Sequence, residues 1–272
     1  SPLTSTLITT WDSYFNAPSG SYPYSQPITA SSKTKGKATW SETKVLGTVS
    51  QFITTVMIYD EKGRVIQLKT VNKTGGIDVM TTQYSWVGQP LVIITKSQKS
   101  GAGQQETVIV TQNSYDDLGR LVKVEKKQGN SLISGGSMSA YKTIVKNDYD
   151  KLGQLKKKEI GTNPATSAAL ETLNYDYNIR GWMLGVNRSY LNLSGQSGTT
   201  RFGFELGYDK TDNAAGNSYA SPQYNGNISG MTWKSDGDDV RRKYDFSYDA
   251  ANRLMKGEFK QDNGGTTWNN SQ

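Results

Sequence analysis

Tyr115-Asp116-Asp117-Leu118-Gly119-Arg120-Leu121 is the stretch that decides the fold, because the chain writes it more than once. Tyr59-Asp60-Glu61-Lys62-Gly63-Arg64-Val65 has the same Tyr-Asp-x-x-Gly-Arg-apolar order. Tyr149-Asp150-Lys151-Leu152-Gly153-Gln154-Leu155 has Gln in place of Arg, and Tyr248-Asp249-Ala250-Ala251-Asn252-Arg253-Leu254 has Asn in place of Gly. Tyr84-Ser85-Trp86-Val87-Gly88-Gln89-Pro90-Leu91 reads as a worn copy with one extra residue. The copies at 59, 84, 115 and 149 lie 25, 31 and 34 residues apart, room for two to four strands per unit. Such uneven spacing points to a constant turn opposite loops of variable length. A recurring unit is an architectural element, so function is sought in what the array builds.

The motif has a physical logic. Asp at the head of a turn accepts hydrogen bonds from backbone N–H groups two or three residues on. Gly or Asn at the fourth place tolerates positive φ, which a tight hairpin requires. Tyr then ends one strand and the residue after Arg starts the next, as in a type I turn closed by a left-handed residue. The Arg side chain has two available partners, the Asp carboxylate across the turn or the ring of the motif's own Tyr. Tyr59, Asp60, Gly63, Arg64, Tyr115, Asp116, Gly119, Arg120, Tyr149, Asp150, Gly153, Tyr248, Asp249, Asn252 and Arg253 are therefore read as structural residues of repeated hairpin turns.

Composition narrows the chemistry. The 272 residues contain no Cys and no His. Disulfides, thiol nucleophiles and thiolate metal sites are thereby excluded, as are Ser-His-Asp and Cys-His catalysis within the chain. Sixteen Tyr and six Trp favour pleated sheet. No helical apolar period is sustained, and the best candidate, Ala165-Thr166-Ser167-Ala168-Ala169-Leu170, follows Pro164. The net charge is +7, but the lysines are scattered. Lys156-Lys157-Lys158, directly after a turn, reads as a solvated or edge strand, and no nucleic-acid partner is expected. No apolar run of about 18 residues predicts a membrane-crossing helix, and no signal peptide opens the chain. A start at Ser1 without Met suggests a processed or truncated product.

Residues 1–45, rich in Ser, Thr, Pro and Tyr, read as an extended lead-in, and 46–272 as the repeat sheet, with no linker dividing it. Phe52, Thr54, Val56 and Ile58 share one strand face, and Leu91–Ile94 and Val108–Val110 read as buried strands. Tyr141, Thr143, Val145, Asn147 and Tyr149 form an inward face. The stretches 131–139, 195–200 and 262–272 read as mobile.

The repeated text resembles the RHS or YD-repeat family. The ordered blocks Leu173–Trp182, Phe204–Asp209, Tyr224–Trp233 and Arg242–Leu254 sharpen the likeness to RHS-repeat proteins of surface-active Gram-negative bacteria that use the type IX secretion route. The resemblance covers roughly residues 45 to 260. It implies an all-β fold: antiparallel YD-repeat hairpins forming a curved, spiralling sheet, part of a hollow shell. In the toxin members that shell encloses a C-terminal toxic domain, and in teneurins a related shell supports adhesion. The implied protein is a secreted or cell-surface scaffold whose partners are the rest of its precursor and the C-terminal cargo, with secretion machinery or surface proteins as further partners. The family's aspartate-dependent self-cleavage motif is not found, so neither self-cleavage nor toxicity is carried over.

Other sites read blandly. Asp236-Gly237-Asp238-Asp239 lacks the spacing of a calcium loop and reads as a charged turn. Asp116 and Asp117 belong to a repeated motif, hence to scaffold. Gly181-Trp182-Met183-Leu184-Gly185 is no phosphate loop, and Arg180-Gly181-Trp182 reads as a turn with a packed indole. The Tyr and Trp rings are expected to fill the inner layer of the sheet. No catalytic residue, cofactor or metal is expected. The competing readings are a carbohydrate or cell-surface binding module that uses those rings, and a two-carboxylate glycosidase.

Overall fold

Fifteen antiparallel strands account for nearly all regular structure in the computed structural model, which describes residues 30–48, 50–192, 198–209, 218–219, 221–262 and 268. The chain forms two compact units that divide after Ile144. The stretch 19–27 and most of the expected mobile segments 195–200 and 262–272 lie outside the described residues. Among the described residues no helix is long and apolar enough to cross a membrane.

The first unit is an antiparallel meander of β1 (Trp40–Lys44), β2 (Phe52–Tyr59), β3 (Val65–Val71), β4 (Ile77–Tyr84), β5 (Pro90–Lys99), β6 (Gln105–Tyr115) and β7 (Leu121–Asn130), each beside its chain neighbour. Strand pairing thus begins within the stretch read as a lead-in: Trp40 lies opposite Val56 and Lys44 opposite Phe52. Register places Thr81, Ile94 and Val110 side by side. Val92, Ile94 and Val110 are fully buried and pack with Leu91, Val108, Met138 and Tyr141. The 131–139 loop contains a 3₁₀ turn at Ser134–Gly136 and brings Met138 onto this core. Gly129 makes that approach possible, since a Cβ there would stand 2.9 Å from both Met138 Sδ and the Gly136 carbonyl.

The division falls within β8 (Lys142–Tyr149), and the second unit continues with β9 (Leu155–Ile160), β10 (Glu171–Tyr177), β11 (Met183–Val186), β12 (Phe202–Gly207), β13 (Gly230–Ser235), β14 (Arg241–Tyr248) and β15 (Leu254–Asp262), again in chain order. Ala165–Leu170 is not helical. It is a turn in which the Asn163 N–H reaches the Ala168 carbonyl and Ser167 takes a φ of 60°. A 3₁₀ segment absent from the sequence reading, Arg188–Asn192, buries Tyr190 and Leu191.

On β12–β15 the expected partition of side chains is reversed. Register aligns Glu205, Thr232, Lys243 and Lys260 in one row, and Lys234, Arg241 and Asp262 in the next. Glu205, Thr232, Lys234, Lys243, Asp245 and Asp262 are all buried. Their charges are matched: Lys243 Nζ and Lys260 Nζ lie 3.2 and 2.9 Å from Asp245 Oδ2, Arg188 pairs with Glu205 at 2.8 Å, and Arg241 pairs with Asp262. Tyr219 covers this face, its hydroxyl 3.1 Å from Thr232 Oγ1. The opposite face bears Phe204, Trp233, Tyr244, Phe246 and Phe259, all partly buried. Here the rings do not form the inner layer.

Candidate functional site

The tyrosine-led turns share one backbone geometry. In the copy at Tyr59 the Asp60 N–H donates to the Arg64 carbonyl at 3.0 Å, and the Gly63 N–H donates to the Asp60 carbonyl at 3.0 Å. The same pair of bonds recurs between residues 85, 88 and 89, 116, 119 and 120, 150, 153 and 154, 178, 181 and 182, and 249, 252 and 253. The fourth residue is left-handed each time, with φ from 61° at Asn252 to 95° at Gly88. Every one of these hairpins slips register by one residue at its tyrosine. The residue skipped is the second of the returning strand, Ile66 in the first copy, so the bulge lies just beyond the turn rather than at its left-handed residue. The hairpins at the other strand ends, β3–β4 and β5–β6, run without a slip.

Two details differ from the sequence reading. The copy at Tyr84 has no extra residue: Pro90 stands where Val65 stands in the first copy. A sixth turn, Tyr177-Asn178-Ile179-Arg180-Gly181-Trp182, is a full member, hidden in sequence because Asn replaces Asp and Trp replaces Arg. Asn178 Oδ1 accepts from the N–H groups of Arg180 and Trp182, both at 2.9 Å.

The head carboxylates close the turns. Asp60 accepts the Arg64 N–H at 2.8 Å on Oδ1 and Arg64 Nε at 2.6 Å on Oδ2. Asp116 and Asp249 repeat both bonds with Arg120 and Arg253, and Asp150 takes the N–H groups of Leu152 and Gln154. The Arg side chain takes the Asp carboxylate across the turn, but the ring that Arg64 lies over, 4.8 Å from its centroid, is that of Tyr84 in the following turn and not that of its own Tyr59.

Several tyrosines also reach back to an earlier segment of the chain, which the sequence did not reveal. The Tyr84 hydroxyl donates to the carbonyl of Val65, where β3 begins, at 3.1 Å. Tyr115 donates to Pro90, where β5 begins, at 3.0 Å, and Tyr208 to Met183, where β11 begins, at 3.0 Å. Tyr59 and Tyr248 reach Ala38 and Ile228 at 2.7 and 2.9 Å. Burial pushes the Tyr115 and Tyr208 hydroxyls up, which keeps them protonated and able to donate. Side chains add further ties: Gln89 Nε2 reaches the Gly119 carbonyl at 2.9 Å, and Lys37 Nζ the Gly63 carbonyl at 3.2 Å. A Cβ on Gly119 or Gly63 would sit 2.8 or 2.2 Å from those nitrogens, so glycine serves close approach as well as φ. At the last turn Asn252 instead offers Oδ1 to Asn225 and Asn227.

Comparison with protein-family models and with curated proteins gave no match. The remaining sequence candidates resolve into ion pairs. Asp236 contacts Arg201 at 3.0 Å, Asp239 contacts Lys234 at 2.6 Å, and Asp238 chelates the Arg242 guanidinium. Asp117 is exposed beside the Asp116 cap.

Four of these carboxylates titrate below the ordinary aspartate range. In Asp60 burial pushes the value up, but the Arg64 amide and guanidinium outweigh it. The following arginine's backbone N–H is the main cause at Asp116 and at Asp249, and its side chain adds to it. The Arg242 side chain, then the Val240 N–H, hold Asp238 at about 2. A folded-state pKa below the unfolded value, about 3.9 for Asp, adds stability that is complete above that value and lost as pH falls through the folded one. The urea midpoint is therefore expected to be level above about pH 5 and to fall between about pH 4 and pH 2. Asp116→Asn should begin lower and fall less steeply, and a midpoint indifferent to pH in that range would contradict the assignment.

Proposed function

We propose that the chain is a non-enzymatic scaffold, a stretch of YD-repeat wall from a secreted or surface-displayed protein. It encloses or presents another part of the same precursor, a C-terminal cargo. The observation that carries this reading is the row of tyrosine-led hairpin turns, each closed by its own head residue, of which those at Tyr84 and Tyr115 are also tied by a hydroxyl to the hairpin before them. Such ties hold strand register over a long sheet and create no reactive centre. The turn carboxylates are spent on amides and guanidinium groups, which suits a structural role for them.

A wall section also needs somewhere to continue. Among the described residues β1 pairs with β2 alone and β15 with β14 alone. An unpaired strand edge offers backbone groups to a further strand. Hydrogen exchange on the chain, alone and with the flanking polypeptide of its own gene added, tests the proposal. Slower exchange at 40–44 or 254–262 in the mixture is the expected result. Unchanged exchange at both edges would overturn it.

A further inference from the structure

We propose that the turn rim of the first unit docks on an anionic phospholipid surface, with Trp86, Val87 and Leu118 entering the headgroup region and Lys33, Lys35, Lys37 and Lys62 facing the lipid phosphates. The contact dips into a bilayer without crossing it, and the scaffold role does not depend on it.

The rim is made by the turns at one end of the meander. Those after β2, β4 and β6 carry Glu61-Lys62, Trp86-Val87 and Asp117-Leu118 at their two outermost places. A type I turn accepts most residues there, so turn chemistry asks for no large apolar side chain. Trp86 is nonetheless 81% exposed, Val87 77% and Leu118 77%. Single exposed apolar residues are ordinary, but a contiguous group marks a contact with protein or membrane. The same places in turns of the second unit hold Leu152 and Ile179, both exposed.

The three turns and the segment before β1 are fastened side by side. The Ser31 N–H donates to the Tyr59 carbonyl at 2.8 Å, and Lys37 Nζ reaches the Gly63 carbonyl. Lys62 Nζ donates to the Trp86 carbonyl at 2.8 Å and lies 3.3 Å from the centroid of its indole. Gln89 binds the Gly119 carbonyl. Adjacent turns, two strands apart, stand about 10 Å from each other. The apolar tips therefore form one row, with the indole held in place by its lysine.

Charge decides the occupant. Arg64 and Arg120 are neutralised by Asp60 and Asp116. Lys33, Lys35, Lys37 and Lys62 are exposed and make no ion pair among the described residues, while the exposed acids of this rim are Glu61 and Asp117. Free cations thus outnumber free anions around the apolar row. Indole rings settle at the headgroup level of a membrane, aliphatic tips enter the acyl boundary, and lysines are drawn to anionic headgroups. A protein partner would need a pocket shaped to Trp86, whereas a fluid bilayer yields to a row of projecting tips.

Cosedimentation of the full chain with phosphatidylcholine vesicles containing about 30% phosphatidylserine tests the proposal. Half of the protein should be bound at or below about 1 mM accessible lipid, and pure phosphatidylcholine should bind at least about tenfold more weakly. Trp86→Ala and Leu118→Ser should each weaken binding about tenfold, and Lys62→Gln about fivefold. Leu46→Ser, at a residue 92% exposed on the hairpin that joins β1 and β2 at the other end of the sheet, should leave it unchanged. Brominated acyl chains should quench the tryptophan emission of the unaltered chain, and far less that of Trp86→Phe. No binding to the mixed vesicles overturns the proposal. So does binding that Trp86→Ala and Leu118→Ser leave intact, which charge alone would explain, or quenching that persists in Trp86→Phe. Vesicles left unbound by a dimer that Trp86→Ala dissociates would assign the row to a second copy and overturn it as well.

Discussion

Tyr219→Ala is expected to cost the second unit about 3–5 kcal/mol, the range for deleting a buried aromatic ring. Tyr219 is 3% exposed. Its ring lies against two facing glycines: a Cβ on Gly207 would stand 2.3 Å from it and one on Gly230 2.1 Å. Those two residues are paired across β12 and β13, so the glycines make the slot and the tyrosine fills it. Beneath and beside the ring lie Glu205, Thr232 and Lys243, whose ammonium is 5.9 Å from the ring centroid and donates to the Ser218 carbonyl at 2.9 Å. Without the ring, water reaches that charged layer and its ion pairs weaken. Urea denaturation followed by circular dichroism measures the loss. Tyr219→Phe, which keeps the ring and removes the hydroxyl with its bonds to Thr232 and the Glu205 carbonyl, should cost about 1 kcal/mol. A loss below about 1 kcal/mol for Tyr219→Ala would mean that the ring is not the cap.

Asp60→Ala is expected to remove about 2–3 kcal/mol from the first unit, the scale for charge-assisted bonds lost from a buried group. One carboxylate there holds both the amide and the guanidinium of Arg64. The same guanidinium donates to the Ser85 carbonyl at 2.9 Å and stacks on Tyr84, so removing Asp60 loosens the following turn as well. Asp60→Asn should recover much of the loss, because Asn178 already serves as head residue in the sixth turn. Denaturation midpoints of the two variants give the comparison. Equal losses would show that the charge, rather than the amide cap, closes the turn.

The hairpin turns were legible in sequence because their chemistry is local. Asp, Gly and Arg act within five residues, and the alternation in Tyr141–Tyr149 reports one strand with one face turned inward, as the burial of β8 shows. What escaped the sequence is what acts across strands. The Tyr84 hydroxyl finds its acceptor 19 residues away and the Tyr115 hydroxyl 25, so nothing near either residue announces the bond. The same holds for the reversed faces of β12–β15. Alternating Tyr244 and Phe246 with Lys243 and Asp245 suggests rings inward by hydrophobicity alone. Lys260, Ser218 and Tyr219 then supply partners and cover for the charged side, and all three come from other segments. Tyr208-Asp209 begins a further copy whose turn is replaced by the long connection to β13. Its tyrosine still makes the ladder bond, although the rest of the motif is gone.

The one-hairpin reach of Tyr84 and Tyr115 sets a rule of parity for how such a chain can lengthen or shorten. Gaining or losing two consecutive strands returns such a phenol to an equivalent carbonyl, and the neighbours on either side notice nothing. Removing a single strand would send the following tyrosine to the far end of the wrong neighbour and reverse the direction of everything after it. Duplication and deletion in whole hairpins are the changes this architecture absorbs, and drift between the turns is free so long as that count stays even.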